Sequence, residues 1–293
     1  MTPFSPEKLV IFDYSGTLSL EAPRFSRPAN LLSVLAESGL AKLGVATPEA
    51  FWGQIVGPTW TGGSTTAIGY KRVMAKRIEA LGLVPGATGA EIAAAASRFV
   101  DRYLDHSRID PRWRPILENL SVHPGTALVI ATDHYAEATE TIIHNLHSWN
   151  IPARKAGEKK GTAPDSSVKN RELSPLFIAN SADIGFWKAD RRFWEVLKSR
   201  LPLEMVRSVL IIDDFGFNEE QGDRYGERAR VEARQKETAA SLQEIFQTSL
   251  TVIPFFLKNG ERDRKEAGAQ RIAETVRQID RFLNSGGATK NTP

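Results

Sequence analysis

Short apolar runs that end on polar or acidic residues recur along this chain, separated by amphipathic stretches. Leu9-Val10-Ile11-Phe12 runs straight into Asp13, Thr126 to Ala131 into Thr132-Asp133, and Val209-Leu210-Ile211-Ile212 into Asp213-Asp214. Leu176-Phe177-Ile178-Ala179 and Leu250 to Phe255 complete the set. Runs of this length, rich in β-branched residues, predict five strands, those ending at Asp13, Thr132 and Asp213 buried. The region from about 19 to 121 has no strand pattern and predicts helices. Asn30 can cap a helix over Leu31 to Leu43, Thr47-Pro48-Glu49 has the cap, early proline and early acid of a helix start, and Thr88-Gly89-Ala90-Glu91 is a capping box before a helix reaching His106. Further helices are expected from about Tyr135 to Leu146, after Trp187-Lys188 to about Leu197, from about Arg228 to Phe246, and from about Asp263 to Leu283. Gly57 to Ser64 reads as a glycine-rich interhelix loop, and the polar segment 152–174 as a mobile surface insertion.

Strands alternating with helices predict a parallel sheet covered on both faces, and the long helical segment after the first strand predicts a lid or cap. Ligands in such sheets sit beyond the carboxyl ends of the strands. Asp13 is therefore a candidate nucleophile or metal ligand, or else a turn residue. Asp213 and Asp214, adjacent at a strand end, repel one another unless a cation or donors lie between them. A hard divalent metal with oxygen ligands answers this, magnesium first; the alternative is a polar turn. Thr132 can hold a phosphate oxygen where strand gives way to helix, or simply cap that helix. Lys188 can bring an ammonium into the crevice, or be a surface lysine. In the Gly57–Ser64 segment, Trp60, Thr61 and Gly62 are candidate substrate contacts, because glycines let a backbone approach a ligand. Lys71, Arg72, Lys76 and Arg77 offer phosphate steering or a solvated face.

Composition narrows the chemistry. The 293 residues carry no cysteine, which excludes disulfide scaffolds, zinc–thiolate sites and cysteine catalysis. A formal net charge of +3 does not mark a nucleic-acid binder, yet tolerates an anionic substrate. Met1 to Lys8 fits neither a signal peptide nor a membrane span, so a cytoplasmic protein with no membrane partner is expected. Oligomeric state leaves no trace in the sequence.

The order Asp13-Tyr14-Ser15-Gly16-Thr17-Leu18, then Thr132 after a strand, then Lys188, then Asp213-Asp214 resembles the four motifs of the haloacid dehalogenase-like (HAD) hydrolase superfamily. Gly222 and Gly226 fall where that family often carries glycines. The resemblance implies a Rossmann-like three-layer core over residues 1–18 and 122–293 with an all-helical cap at 19–121. It further implies a magnesium-dependent hydrolase of small phosphorylated metabolites. Asp13 would form an aspartyl-phosphate, Thr132 and Lys188 would hold the transferring oxygens, and Mg2+ would be bound by Asp13, the Ser15 carbonyl and Asp214, with Asp213 or Glu219 in support. Gly16, Thr17, Asp133 and Lys71 join the candidate substrate contacts. One position departs from the pattern: Ser15 stands where HAD phosphatases usually carry a second, acid/base aspartate. Phosphonatases of the superfamily also lack it and use a cap lysine, for which Lys71 or Lys76 is available. A phosphonate substrate, or a weakened phosphate-binding scaffold, is therefore the alternative.

Overall fold

A computed structural model describes residues 5–158, 176–219, 226–257 and 264–285. Most of the predicted polar insertion, Gly222 and the tail from 286 lie outside the described residues.

Strand β1 (Lys8–Phe12) leads into helices α1 (Ala22–Phe25), α2 (Pro28–Ser38), α3 (Pro48–Ala50), α4 (Gly57–Ser64), α5 (Tyr70–Leu81), α6 (Gly89–His106) and α7 (Arg114–Ser121). Then come β2 (Thr126–Thr132), α8 (Glu137–Ser148), β3 (Ala153–Lys155), β4 (Leu176–Asn180), α9 (Ser181–Ile184) and α10 (Arg191–Arg200). The series ends with β5 (Ser208–Asp213), α11 (Arg228–Phe246), β6 (Ser249–Pro254) and α12 (Arg264–Asn284). The strands form one sheet in the order β3-β4-β2-β1-β5-β6, every pair parallel. Chain order reverses direction at β1, the point where such sheets open a crevice at their carboxyl edge.

Because side chains alternate across a strand, β1 feeds two cores. Val10 and Phe12 pack with Leu117, Leu146 and Ile279 of α7, α8 and α12; Leu9 and Ile11 pack on the other face with Trp194 and Leu242 of α10 and α11. This is the three-layer α/β core that the alternating pattern predicts. Each such side chain, fully buried, contributes roughly 1.5–3 kcal/mol. A third apolar cluster, built from Phe25, Leu35, Phe51, Met74 and Phe99, holds together helices α1 to α6, whereas α7 packs on the sheet through Ile116, Leu117 and Leu120; Tyr135 from the start of the α8 segment reaches into the third cluster.

Four local expectations change. The helix expected over Leu31 to Leu43 is α2, which begins at Pro28, whose fixed φ suits a first turn, and stops at Gly39, where φ is 89°. Gly57 to Ser64 is not a loop: α3, a π-helical turn at Phe51–Val56, and α4 form one continuous helical run capped by Thr47. Residues 153–155, assigned to the polar insertion, form edge strand β3 against β4. The helix expected from Tyr135 begins at Glu137.

Candidate active site

The register of β1 places Phe12 between Ile130 of β2 and Ile212 of β5, so Asp13 emerges at the carboxyl edge of the sheet. Its amide donates to the Ile212 carbonyl at 2.8 Å, which fixes the backbone, and its side chain is buried. The chain then turns sharply. Gly16 adopts φ 77°, and a Cβ there would lie 2.4 Å from Asp214 Oδ2. Thr17 Oγ1 accepts the Asp214 amide at 3.1 Å, and the Thr17 carbonyl accepts the Trp113 indole N–H at 3.0 Å. Gly16 and Thr17 thus pack beneath Asp214 and do not line the cavity described below, contrary to the expectation that they touch substrate.

The loop after β5 is pinned by its own carboxylates. Asp213 Oδ1 accepts the Phe215 amide at 2.6 Å; Asp214 accepts the Gly216 and Asn218 amides at 3.2 and 2.8 Å. Phe215 sits at φ 51°, a conformation that a bulky residue holds only when its surroundings impose it. Asn218 donates to the carbonyls of Gly16 and Phe255, at 2.7 and 2.8 Å, and accepts the Leu257 amide at 2.8 Å. It ties the loops after β1, β5 and β6 into one frame. Sequence reading missed this bracing role, though an asparagine five residues past a strand-ending aspartate was visible as turn chemistry.

Lys188 is held from both sides of its backbone: its amide donates to Asp133 Oδ1 at 2.9 Å and its carbonyl accepts the Trp194 indole at 2.7 Å. The side chain is buried, and its ammonium bridges Asp13 Oδ1 and Asp213 Oδ2, the latter at 2.8 Å. Asp133 therefore positions the lysine backbone. Carboxylate oxygens of Asp13, Asp213 and Asp214 lie within 4.8 Å of one another. Three buried carboxylates around one ammonium leave negative charge uncompensated, a costly arrangement unless protons or a cation join it. Burial pushes the Asp13 carboxyl up to about 7; the Lys188 ammonium pulls it down and the Asp213 charge adds to the rise. Asp214 is also driven well above the carboxylate range, by burial and then by the charges of Asp13, Asp213 and Glu219. All-oxygen donors, buried and charge-deficient, fit a hard divalent cation.

A cavity of about 980 Å³ opens over this cluster, between the sheet edge and the helical layer. Asp13, Ser15, Thr132, Asp133, Lys188, Asp213 and Asp214 form its floor. Of the helical candidates, Trp60 and Thr61 line it, whereas Gly62 does not. Lys71 is also outside the lining: its ammonium pairs with Asp101 at 2.5 Å and its amide donates to Glu137 at 3.1 Å. Lys76 is exposed and likewise outside the lining. Ser15 donates its hydroxyl to Glu219 Oε1 at 3.2 Å. The aromatic residues Trp52, Tyr103, His134, Tyr135 and Trp187 line the cavity and were not singled out from sequence.

No protein-family model and no curated protein matches the sequence. Among solved structures, the chain is similar to a 2-haloacid dehalogenase from Pseudomonas syringae pv. Tomato DC3000, at 16% identity over 93% of this chain and 99% of that one, with a TM-score of 0.49. It is also similar to the putative HAD-hydrolase YfnB from Bacillus subtilis, solved bound to magnesium, at 16% identity over 76% of this chain and 86% of that one, with a TM-score of 0.40. The sheet order, the long helical insertion after β1 and the gathering of Asp13, Thr132, Lys188, Asp213 and Asp214 at one sheet edge are the arrangement that the resemblance to the HAD-like hydrolases implies.

Proposed function

We propose that this chain is a magnesium-dependent hydrolase of phosphate esters that works through an aspartyl-phosphate on Asp13, with helices α1 to α6 serving as its cap. The observation that carries this reading is the buried cluster in which Lys188 bridges Asp13 and Asp213 while Asp214 completes a set of carboxylates within 4.8 Å. A carboxylate nucleophile and an anionic ester repel each other until positive charge is placed between them. Lys188 supplies one such charge. Asp13, Asp214 and the Ser15 carbonyl would hold Mg2+, with Asp213 in support, and the ion when bound would supply the remaining charge compensation.

Within that frame Asp13 attacks phosphorus, the P–O bond to the alcohol breaks, and the alcohol leaves with a proton. Thr132 and Lys188 hold the non-bridging oxygens. Water then attacks the phosphorus of the acyl phosphate, releasing inorganic phosphate and regenerating Asp13. Ser15 supplies no carboxylate for either proton transfer, so both steps lean on solvent. A phosphonatase route by a cap lysine finds no support, since neither Lys71 nor Lys76 lines the cavity.

Incubation with Mg2+ and beryllium fluoride, followed by a thermal-shift assay and fluorine NMR, tests the reading. Wild type is expected to form a stable beryllofluoride adduct and Asp13→Asn to form none. Absence of the adduct, together with magnesium-independent halide release from a 2-haloacid, would replace phosphate chemistry with dehalogenation.

A further inference from the structure

Helical spacing puts Trp52, Val56 and Trp60 on one face of the continuous run through the π-helical turn and α4, and all three line the cavity opposite the carboxylate floor. Tyr103 of α6 and Trp187, just before Lys188, complete this wall. These four rings are half-buried, so they keep surface for an occupant.

Two of the four polar tips have partners within the protein. The Trp187 indole donates to Ser64 Oγ at 2.9 Å, and the Tyr103 hydroxyl pairs with His134 Nε2 at 2.8 Å. Two hydroxyls are turned inward as well: Ser26 of the lining donates to the Pro23 carbonyl, and Ser64 beside it to the Trp60 carbonyl, each at 2.6 Å. A site that selects a sugar needs donors and acceptors aimed at the substrate's hydroxyls, because it is those paired polar groups that discriminate. This wall presents mainly ring faces and edges, which favour a flat apolar group stacked or set edge-on among them.

Resting on the phosphate-ester reading above, we infer that the substrate's organic part is a planar aromatic group, seated among Trp52, Trp60, Tyr103 and Trp187 while its phosphate lies on Asp13 and Lys188. A volume of about 980 Å³ accommodates an occupant well beyond a three-carbon phosphate.

Binding of non-hydrolysable analogues separates this inference from the chemistry. In Mg2+ buffer, calorimetric titration of 1-naphthylmethylphosphonate and of methylphosphonate is expected to show the naphthyl compound at least about tenfold tighter. The ratio of the two affinities should collapse to below about threefold in Trp60→Ala and persist in Trp60→Phe, since a phenyl ring still offers a π face. Equal affinities in wild type, or a ratio untouched by Trp60→Ala, would overturn the aromatic assignment while beryllofluoride labelling of Asp13 left the phosphate-ester reading standing. If neither phosphonate binds and Asp13 does not label, both fall together.

Discussion

Ser15 is the residue on which turnover depends in this reading. Its side chain faces the cavity two residues after Asp13, and its hydroxyl donates to Glu219 Oε1. A hydroxyl neither protonates a departing alkoxide nor takes a proton from water near neutral pH, and positioned acid/base groups typically contribute about 10²–10⁴ in rate. Placing a carboxyl there, beside Glu219 and close to Asp13, would put it among like charges that raise its pKa into the range useful for an acid. Ser15→Asp is therefore expected to raise phosphate-ester turnover by about a hundredfold or more and to shorten the life of phosphorylated Asp13. Acid-quench trapping of labelled enzyme measures both; an unchanged rate would show that proton transfer is not what limits this protein. The residues legible from sequence share one property. Asp13, Lys188, Asp213 and Asp214 each pair a charged side chain with a position at the end of an apolar run or at a helix entry, where burial of charge demands a partner. Gly16 and Thr17 were just as visible, yet their contacts run to Asp214, because a tight turn uses its glycine and hydroxyl to brace the neighbouring loop.

At the scale of elements, the five strands that carry apolar runs were readable, whereas β3 was not. Its three residues, Ala153, Arg154 and Lys155, carry no apolar run, and only pairing with β4 makes them a strand. The helix α4 defeated local reading for a different reason. Gly57, Gly62 and Gly63 each cost about 1 kcal/mol in a helix interior relative to alanine. Tertiary contacts override that cost: Gly63 lets the helix close on Tyr135, where a Cβ would fall 2.4 Å from the ring, and Ser181 Oγ donates to the Ser64 carbonyl at 2.6 Å. The same layer is joined to the sheet edge by His134, whose Nδ1 accepts the Tyr135 amide at 2.8 Å while Nε2 meets the Tyr103 hydroxyl of α6. With Nδ1 an acceptor, the neutral ring carries its proton on Nε2 and donates it to Tyr103. Burial lowers the His134 pKa from 6.5 to about 4. The unfolded chain thus binds this proton more readily than the folded one. The histidine's contribution to stability is complete above about pH 6.5 and is lost as pH falls toward 4, with a slope of at most about 1.4 kcal/mol per pH unit. Urea titrations from pH 4.5 to 7.5 should show that slope in wild type minus His134→Gln. Asp13, raised to about 7, contributes the opposite slope to both proteins and cancels in the difference. A flat difference would show that His134 is not held neutral in the folded state.

For the molecule as a whole, the sheet edge is where stability and function are in tension. β1, β2 and β5 converge there with β4, and their registers bring the carboxylates that follow them together at one edge. Asp214 is pinned by three backbone amide contacts, through its own N–H and both carboxylate oxygens, and Asp213 by Lys188 and the Phe215 amide. Repulsion among Asp13, Asp213 and Asp214 is thus built into the folded state and relieved on unfolding, when the three separate. A divalent ion that binds only the folded arrangement reverses the balance. At a free concentration one hundred times its dissociation constant, such a ligand stabilises the fold by about 2.7 kcal/mol. For a chain of this size that corresponds to a rise of roughly 5 °C in Tm. At pH 8, addition of Mg2+ to chelator-treated protein should give this rise, and Ca2+, which prefers longer bonds and more ligands, a smaller one. Asp214→Asn removes one of the crowded charges, so its metal-free Tm should lie at or above that of wild type, while its response to Mg2+ should fall to below about 1 °C. Differential scanning calorimetry measures both quantities on the same samples. A lower metal-free Tm in Asp214→Asn would show that its hydrogen bonds to the loop outweigh the repulsion, and an undiminished response to Mg2+ would place the ion somewhere other than this sheet edge.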